Sequence, residues 1–146
     1  NMEQRIQIEA IEPKAYEGMF ALENYLQQSQ IPKPLLHLLK IRASQINGCA
    51  YCINMHTQEA LNDGEDPHRI FLLHTYKESN LFTEEEQLVL QLTEEITLIH
   101  ERRLTTETYQ RMLKAFGKQV LAQFIMAVAT INTWNRIAIS TRKPLD

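Results

Sequence analysis

The segment Asn47-Gly48-Cys49-Ala50-Tyr51-Cys52-Ile53-Asn54-Met55-His56 holds both cysteines of the chain, three residues apart, with a histidine four residues past the second. Asn47-Gly48 breaks one helical pattern and the cysteines open the next, so the stretch reads as the bend between two helices that can pair antiparallel. At about 100° per residue on an α-helix, Cys52 lies about 60° from Cys49 and His56 about 20° from it, so the three side chains share one narrow face. Two thiols and an imidazole on one stripe point to thiol redox chemistry or to metal binding.

Working outward, the pattern is helical almost throughout, with four glycines and no internal repeat or low-complexity stretch. Arg5 to Ile11 is the exception: Ile6 and Ile8 alternate with polar residues, and about residues 1–12 read as an extended N-terminal arm. Helices are expected from about Pro13 to Gln28 and from about Pro34 to Ile46, with Pro32 and Pro34 marking the turn between them. The cysteine helix should end near Asp63-Gly64, and Asp66-Pro67 should open a short helix to about Lys77. Thr83 with Glu86 forms a capping box for a helix to about Arg102, whose apolar stripe is Leu88, Leu92, Ile96 and Ile99. A helix from about Thr106 to Ala115 breaks at Gly117, and a long one follows from about Gln119 to Ser140. The last is apolar around much of its circumference, which calls for more than one packing partner, either within the core or at a subunit interface. The expected fold is a single all-α domain over residues 1–146, a helical bundle with the CxxC at a helix N-terminus.

A chain of 146 residues buries roughly 68–70% of its unfolded surface and needs no structural disulfide to fold. A formal charge of −3 without a basic run speaks against nucleic acid or an anionic membrane as partner. The most apolar run, Phe124 to Ile131, is short of the ~20 residues that span a bilayer. The N-terminus has no charged-then-apolar export pattern, so the expected location is the cytoplasm. A close cysteine pair there is more often catalytic or metal-binding than a structural bridge.

Zinc is the sharper rival to redox chemistry, because Cys49, Cys52, His56 and His37 together make a Cys₂His₂ set. Against it, Cys49 and His56 are about 10 Å apart in helical rise, too spread for one tetrahedral ion. The sequence therefore calls for no metal and no cofactor. His37 stands ten residues before Asn47 and His56 nine after it, so an antiparallel pair would bring the two imidazoles to similar heights. Tyr51 faces away from the cysteine stripe and reads as a packing or pocket-wall residue, while His68, His74 and His100 fall outside any constellation. Glu84-Glu85-Glu86 is an acidic first turn that favours the helix dipole. Lys40, Arg42 and Arg69 read as ion-pair residues that nothing in the pattern places in a site.

The run Arg42-Ala43-Ser44-Gln45-Ile46-Asn47-Gly48-Cys49-Ala50-Tyr51-Cys52, followed by Met55-His56-Thr57, resembles the signature of the alkylhydroperoxidase D-like branch of the carboxymuconolactone decarboxylase-like family. The tail Thr133-Trp134-Asn135-Arg136-Ile137-Ala138 is similar to that family's last helix. The resemblance implies a small all-helical protein assembled as a homotrimer or homohexamer, and a peroxidase that reduces small organic hydroperoxides through its dithiol. An external dithiol or thiol-reductase partner would restore the pair. It implies Cys52 as the thiol attacked by peroxide, Cys49 as the one that closes the disulfide, and His56 in a proton relay. A glutamate twelve residues before the first cysteine completes that relay in the family, and here the position is His37, which is assigned the same task. The residues alone leave a tension: Cys49, nearest the helix N-terminus, should receive the larger dipole stabilisation of a thiolate, whereas His56 favours Cys52. Two other readings are a disulfide carrier or redox sensor with little peroxidase turnover, and a zinc-binding structural module.

Overall fold

The computed structural model describes Glu3 and residues 5–145. Its helices are α1 (Ile8–Ile11), α2 (Pro13–Gln27), α3 (Lys33–Asn47), α4 (Ala50–Asn62), α5 (Pro67–Phe71), α6 (Glu84–Thr97) and α7 (Thr106–Thr141), with a 3₁₀ segment over Leu73–Glu78. No strand occurs among the described residues, as the helical patterning requires.

Helix α3 is the centre of the bundle, packed against α4, α6 and α7. That position explains why Leu35 to Ile41 is an unbroken buried run rather than a stripe: the helix is covered on several faces. Leu36 and Leu39 meet Val89 and Leu92 of α6 and Phe124, Val128 and Ile131 of α7 in the larger core. Leu38 and Ile41 face the other way, into a second cluster with Leu73, Tyr76, Phe82 and Leu90. The apolar circumference of α7 is thus largely satisfied within the chain, by α3, α6, α2 and α4, although Met126 and Ile139 remain exposed. By length and composition α7 could cross a membrane, which the short run Phe124 to Ile131 had not suggested. Here it is interrupted at Gly117 (φ 82°, ψ 166°), a conformation open essentially to glycine alone, and it supplies core residues to α3 and α6.

Three expectations are corrected. The N-terminal arm is extended only before Ile8, and Ile8–Ile11 forms a helical turn, since alternation over so few residues does not separate a strand from a turn of helix. Residues 1, 2 and 4 of that arm lie outside the described residues. The segment after Pro67 is α-helical only to Phe71 and then tightens to 3₁₀. Helix α6 stops at Thr97, before Arg102, because Glu95 turns the chain back through bonds to Thr105 and Thr108. The Thr83–Glu86 capping box is present, and Arg69 fastens α5 to it through Glu86, with Glu65 as its second carboxylate.

Candidate active site

The site begins at the bend between α3 and α4. Gly48 ends α3 in the left-handed region (φ 71°), and the Cys49 N–H donates back to the Ser44 carbonyl at 3.0 Å, a Schellman closure that a β-carbon would strain. The bend is fastened to α7 by a buried polar network. Asn47 Nδ2 donates to Oδ1 of Asn132 (2.9 Å) and of Asn135 (2.8 Å), and Asn135 Nδ2 donates to Ser44 Oγ at 3.0 Å. Asn135 is fully buried, so this network explains an asparagine beside Trp134 in an otherwise apolar helix.

Cys49 is the N-cap of α4, not a member of its helical face: its backbone is extended (φ −90°, ψ 97°) and its Sγ accepts the Cys52 N–H at 3.3 Å. The shared stripe expected for Cys49, Cys52 and His56 therefore holds only for the last two. Cys49 lies over the end of the helix and is joined to Cys52 as a disulfide, with Cα atoms 5.4 Å apart. Both cysteines are buried against Ala138 of α7.

Cys52 opens onto a cavity of about 370 Å³ whose wall includes His56 and Tyr51, and Cys49 is not part of that wall. Tyr16, Phe20 and Trp134 make one side, with Tyr16 set edge-on to Trp134 at 5.3 Å between ring centroids. Tyr51 is a pocket-wall residue, and Lys143 Nζ sits 4.8 Å from its ring centre.

His56 is 4% exposed. Its Nδ1 lies 3.4 Å from Glu59 Oε2, one helical turn on, and its Nε2 is buried without a hydrogen-bond partner. The hydrogen bond to His56 is the main reason the Glu59 carboxyl titrates below its ordinary range, against the opposing effect of partial burial.

His37 does not meet His56. Its Nε2 bonds Asp63 Oδ2 at 2.6 Å, at the far end of α4, and it is not part of the cavity wall. The bend is centred on Gly48-Cys49 rather than Asn47, so Lys40, eight residues before Gly48, is level with His56, eight after it. Lys40 is buried in the cavity wall, its Nζ 3.1 Å from Glu23 Oε2, while Glu23 Oε1 accepts the Trp134 indole N–H at 2.9 Å. Lys40, Glu23 and Glu59 are the site residues that the sequence reading passed over. For Lys40 a signal existed: a lysine inside the apolar run Leu35 to Ile41 is buried wherever that run is covered on all sides, and a buried lysine needs a carboxylate. Glu23 comes from another helix and carries no such mark. Of the proposed zinc set, His37 is held apart by Asp63, and no three His, Cys, Asp or Glu side chains converge as a metal site among the described residues.

The profile of the Carboxymuconolactone decarboxylase family matches residues 13–95. The chain is 39% identical over 139 residues to the uncharacterized protein YdfG of Bacillus subtilis (strain 168), covering 95% of each. Its fold superposes with a TM-score of 0.95, at 35% identity and over 99% of both chains, on ATU0492 from Agrobacterium tumefaciens, a protein of unknown function with a suggested AhpD role in antioxidant defence. The debrominase Bmp8 shares the fold alone, with a TM-score of 0.80 at 14% identity over 94% of this chain and 74% of that one. With its family profile, these relatives, its all-helical fold and a Cys49–Cys52 disulfide at the head of α4, the chain belongs to the carboxymuconolactone decarboxylase family, on its alkylhydroperoxidase D-like branch.

Proposed function

We propose that the chain is a dithiol peroxidase for small organic hydroperoxides. The observation that carries this reading is that Cys52 shares a cavity of mixed aromatic and charged lining with His56 while Cys49 stands behind it in disulfide reach. In the reduced protein His56 takes the Cys52 proton, and the thiolate attacks the distal peroxide oxygen. The O–O bond breaks, the alkoxide leaves as an alcohol with the proton from His56, and Cys52 becomes a sulfenic acid. Cys49 then attacks that sulfur, water departs, and the disulfide forms. An external dithiol or thiol-reductase partner returns two electrons and two protons. Such a cycle needs a reducing compartment, and we propose the cytoplasm on that ground. His37 takes no direct part in this scheme, because it lies outside the cavity wall with its Nε2 on Asp63 and its Nδ1 buried without a partner.

The test is stoichiometric. One equivalent of alkyl hydroperoxide added to the reduced protein should remove both thiols within the mixing time of a manual assay, with one alcohol formed. Thiols that survive hydroperoxide but exchange rapidly with a disulfide would instead identify a carrier.

We also propose a homotrimer or homohexamer, supported by the family assignment and by Met126 and Ile139 left exposed on α7. Light scattering should give at least three times the chain mass of 17.1 kDa. A constant single-chain mass across micromolar concentrations would rule assembly out.

A further inference from the structure

The relay expected from the family has its carboxylate twelve residues before the first cysteine, where this chain has His37. We propose that Glu59 supplies that carboxylate from α4 itself, fixing the His56 ring with its proton on Nδ1 and carrying protons between the buried imidazole and solvent. This inference rests on the dithiol peroxidase reading above.

Three observations lead to it. A neutral imidazole donates from one nitrogen and accepts at the other, and an ionised carboxylate can only accept. The 3.4 Å approach of Glu59 to Nδ1 therefore makes Nδ1 the donor and leaves the unpartnered Nε2 as the acceptor for the Cys52 proton. Second, Glu59 spans inside and outside: it belongs to the cavity wall, yet its side chain is 47% exposed, whereas that of His56 is 5% exposed. A proton passed from Nδ1 to Glu59 reaches water without crossing the aromatic side of the cavity. Third, Glu59 is the acid that contacts His56; of the other acids near the site, Glu9 lines the cavity without bonding His56, and two are committed elsewhere. Glu23 has one oxygen on Lys40 and the other on Trp134, and Asp63 holds His37.

The charged and titratable groups around the pair come from every neighbouring element. They are Cys52 and Tyr51 on α4, Lys40 and His37 on α3, Glu23 and Tyr16 on α2, Glu9 on α1 and Lys143 after α7. Lys40 and His37 favour the ionised form of Glu59, in the same direction as its bond to His56. Because Glu59 and His56 are three residues apart on one helix, their contact does not depend on how α3 and α7 pack.

Glu59→Ala should let the neutral His56 ring drift from the Nδ1–H toward the Nε2–H form, read from its imidazole ¹⁵N shifts. It should slow thiol oxidation by alkyl hydroperoxide at pH 7 roughly tenfold or more, within the range of a general-base contribution. Loss of the anion disfavours the imidazolium, so the acid limb of the rate profile should move to lower pH. Glu59→Gln keeps an acceptor for Nδ1–H without the charge, and should hold the tautomer while the acid limb still moves. His37→Ala should hold the tautomer and move the acid limb less than either Glu59 variant, since His37 acts on Glu59 only through space. An unaltered tautomer and rate profile in Glu59→Ala would overturn the proposal, as would a His37→Ala variant that reproduces the loss. If hydroperoxide fails to oxidise even the wild-type thiols, the peroxidase reading falls, while the tautomer spectra still decide whether Glu59 orients His56.

Discussion

Cys52→Ser should abolish the fast, hydroperoxide-dependent loss of thiol, whereas Cys49→Ser should still react once and stop as a sulfenic acid that cannot close a disulfide. The asymmetry follows from position. Cys52 borders the cavity with His56 one turn away, so a peroxide lodged against Trp134 and Tyr16 meets this sulfur. Cys49 sits at the N-cap, as buried as Cys52 but outside the cavity wall and within disulfide reach of Cys52. The opposing consideration is electrostatic. Cys49 Sγ accepts the Cys52 N–H at the head of α4, where helix partial charges favour a thiolate. That stabilisation suits a resolving thiol, which must ionise to attack the sulfenic acid, and it lowers the barrier of the second step without giving Cys49 access to peroxide. Trapping with a sulfenic-acid reagent and intact mass distinguishes the two. An adduct found only in Cys52→Ser would assign the attack to Cys49.

Much of this architecture is written in local patterns. The Thr83–Glu86 capping box, the Asn47-Gly48 bend and the Gly117 break each depend on residues within one turn of one another, and each occurs as its spacing implies. The cavity pairing of the candidate site was legible to the same depth: Cys52 and His56 share a wall because they are one turn apart on one helix. What lay outside local pattern was registry between helices. Taking Asn47 as the pivot set His37 opposite His56, and moving the centre to Gly48-Cys49 substitutes Lys40, which changes the partner from an imidazole to a buried ion pair. The N-cap role of Cys49 was similarly hidden, because a cysteine and a helical residue are indistinguishable by periodicity at a helix boundary. Glu23 and Glu95 are the deeper omissions. Each is a carboxylate with decisive partners on other elements, Lys40 and Trp134 for the part-buried Glu23 and Thr105 and Thr108 for the buried Glu95, so its own helix does not mark it.

Glu95→Ala should therefore be among the most destabilising single substitutions in the chain, although the residue is far from the cysteines in sequence and outside their cavity wall. Its carboxylate is 1% exposed and takes three strong donors: Gln91 Nε2 at 2.7 Å, the Thr105 N–H at 2.7 Å and Thr108 Oγ1 at 2.6 Å. Thr105 is also the N-cap of α7, its Oγ1 accepting the Thr108 N–H, so the same group sets both the path of the chain after α6 and the start of the longest helix. Truncation leaves the buried Thr108 hydroxyl and the part-buried Gln91 and Thr105 donors unmatched, at a cost of about 3 kcal/mol. For a chain of this size that lowers Tm by roughly 10 °C. Burial alone would push the Glu95 carboxyl up, but the bonds from Thr108, Gln91 and Thr105 outweigh it and hold the group below its ordinary value of 4.5. A carboxyl depressed in the folded state adds stability that is complete above its unfolded pKa and is lost as pH falls toward the folded one. Wild-type stability should thus decline below about pH 4.5 more steeply than that of Glu95→Gln, which keeps the shape but does not ionise. Urea unfolding of the three proteins at pH 7 and pH 4 measures both effects. A loss under 1 kcal/mol for Glu95→Ala, with parallel acid dependence in Glu95→Gln, would show that α6 and α7 are set by their apolar contacts alone.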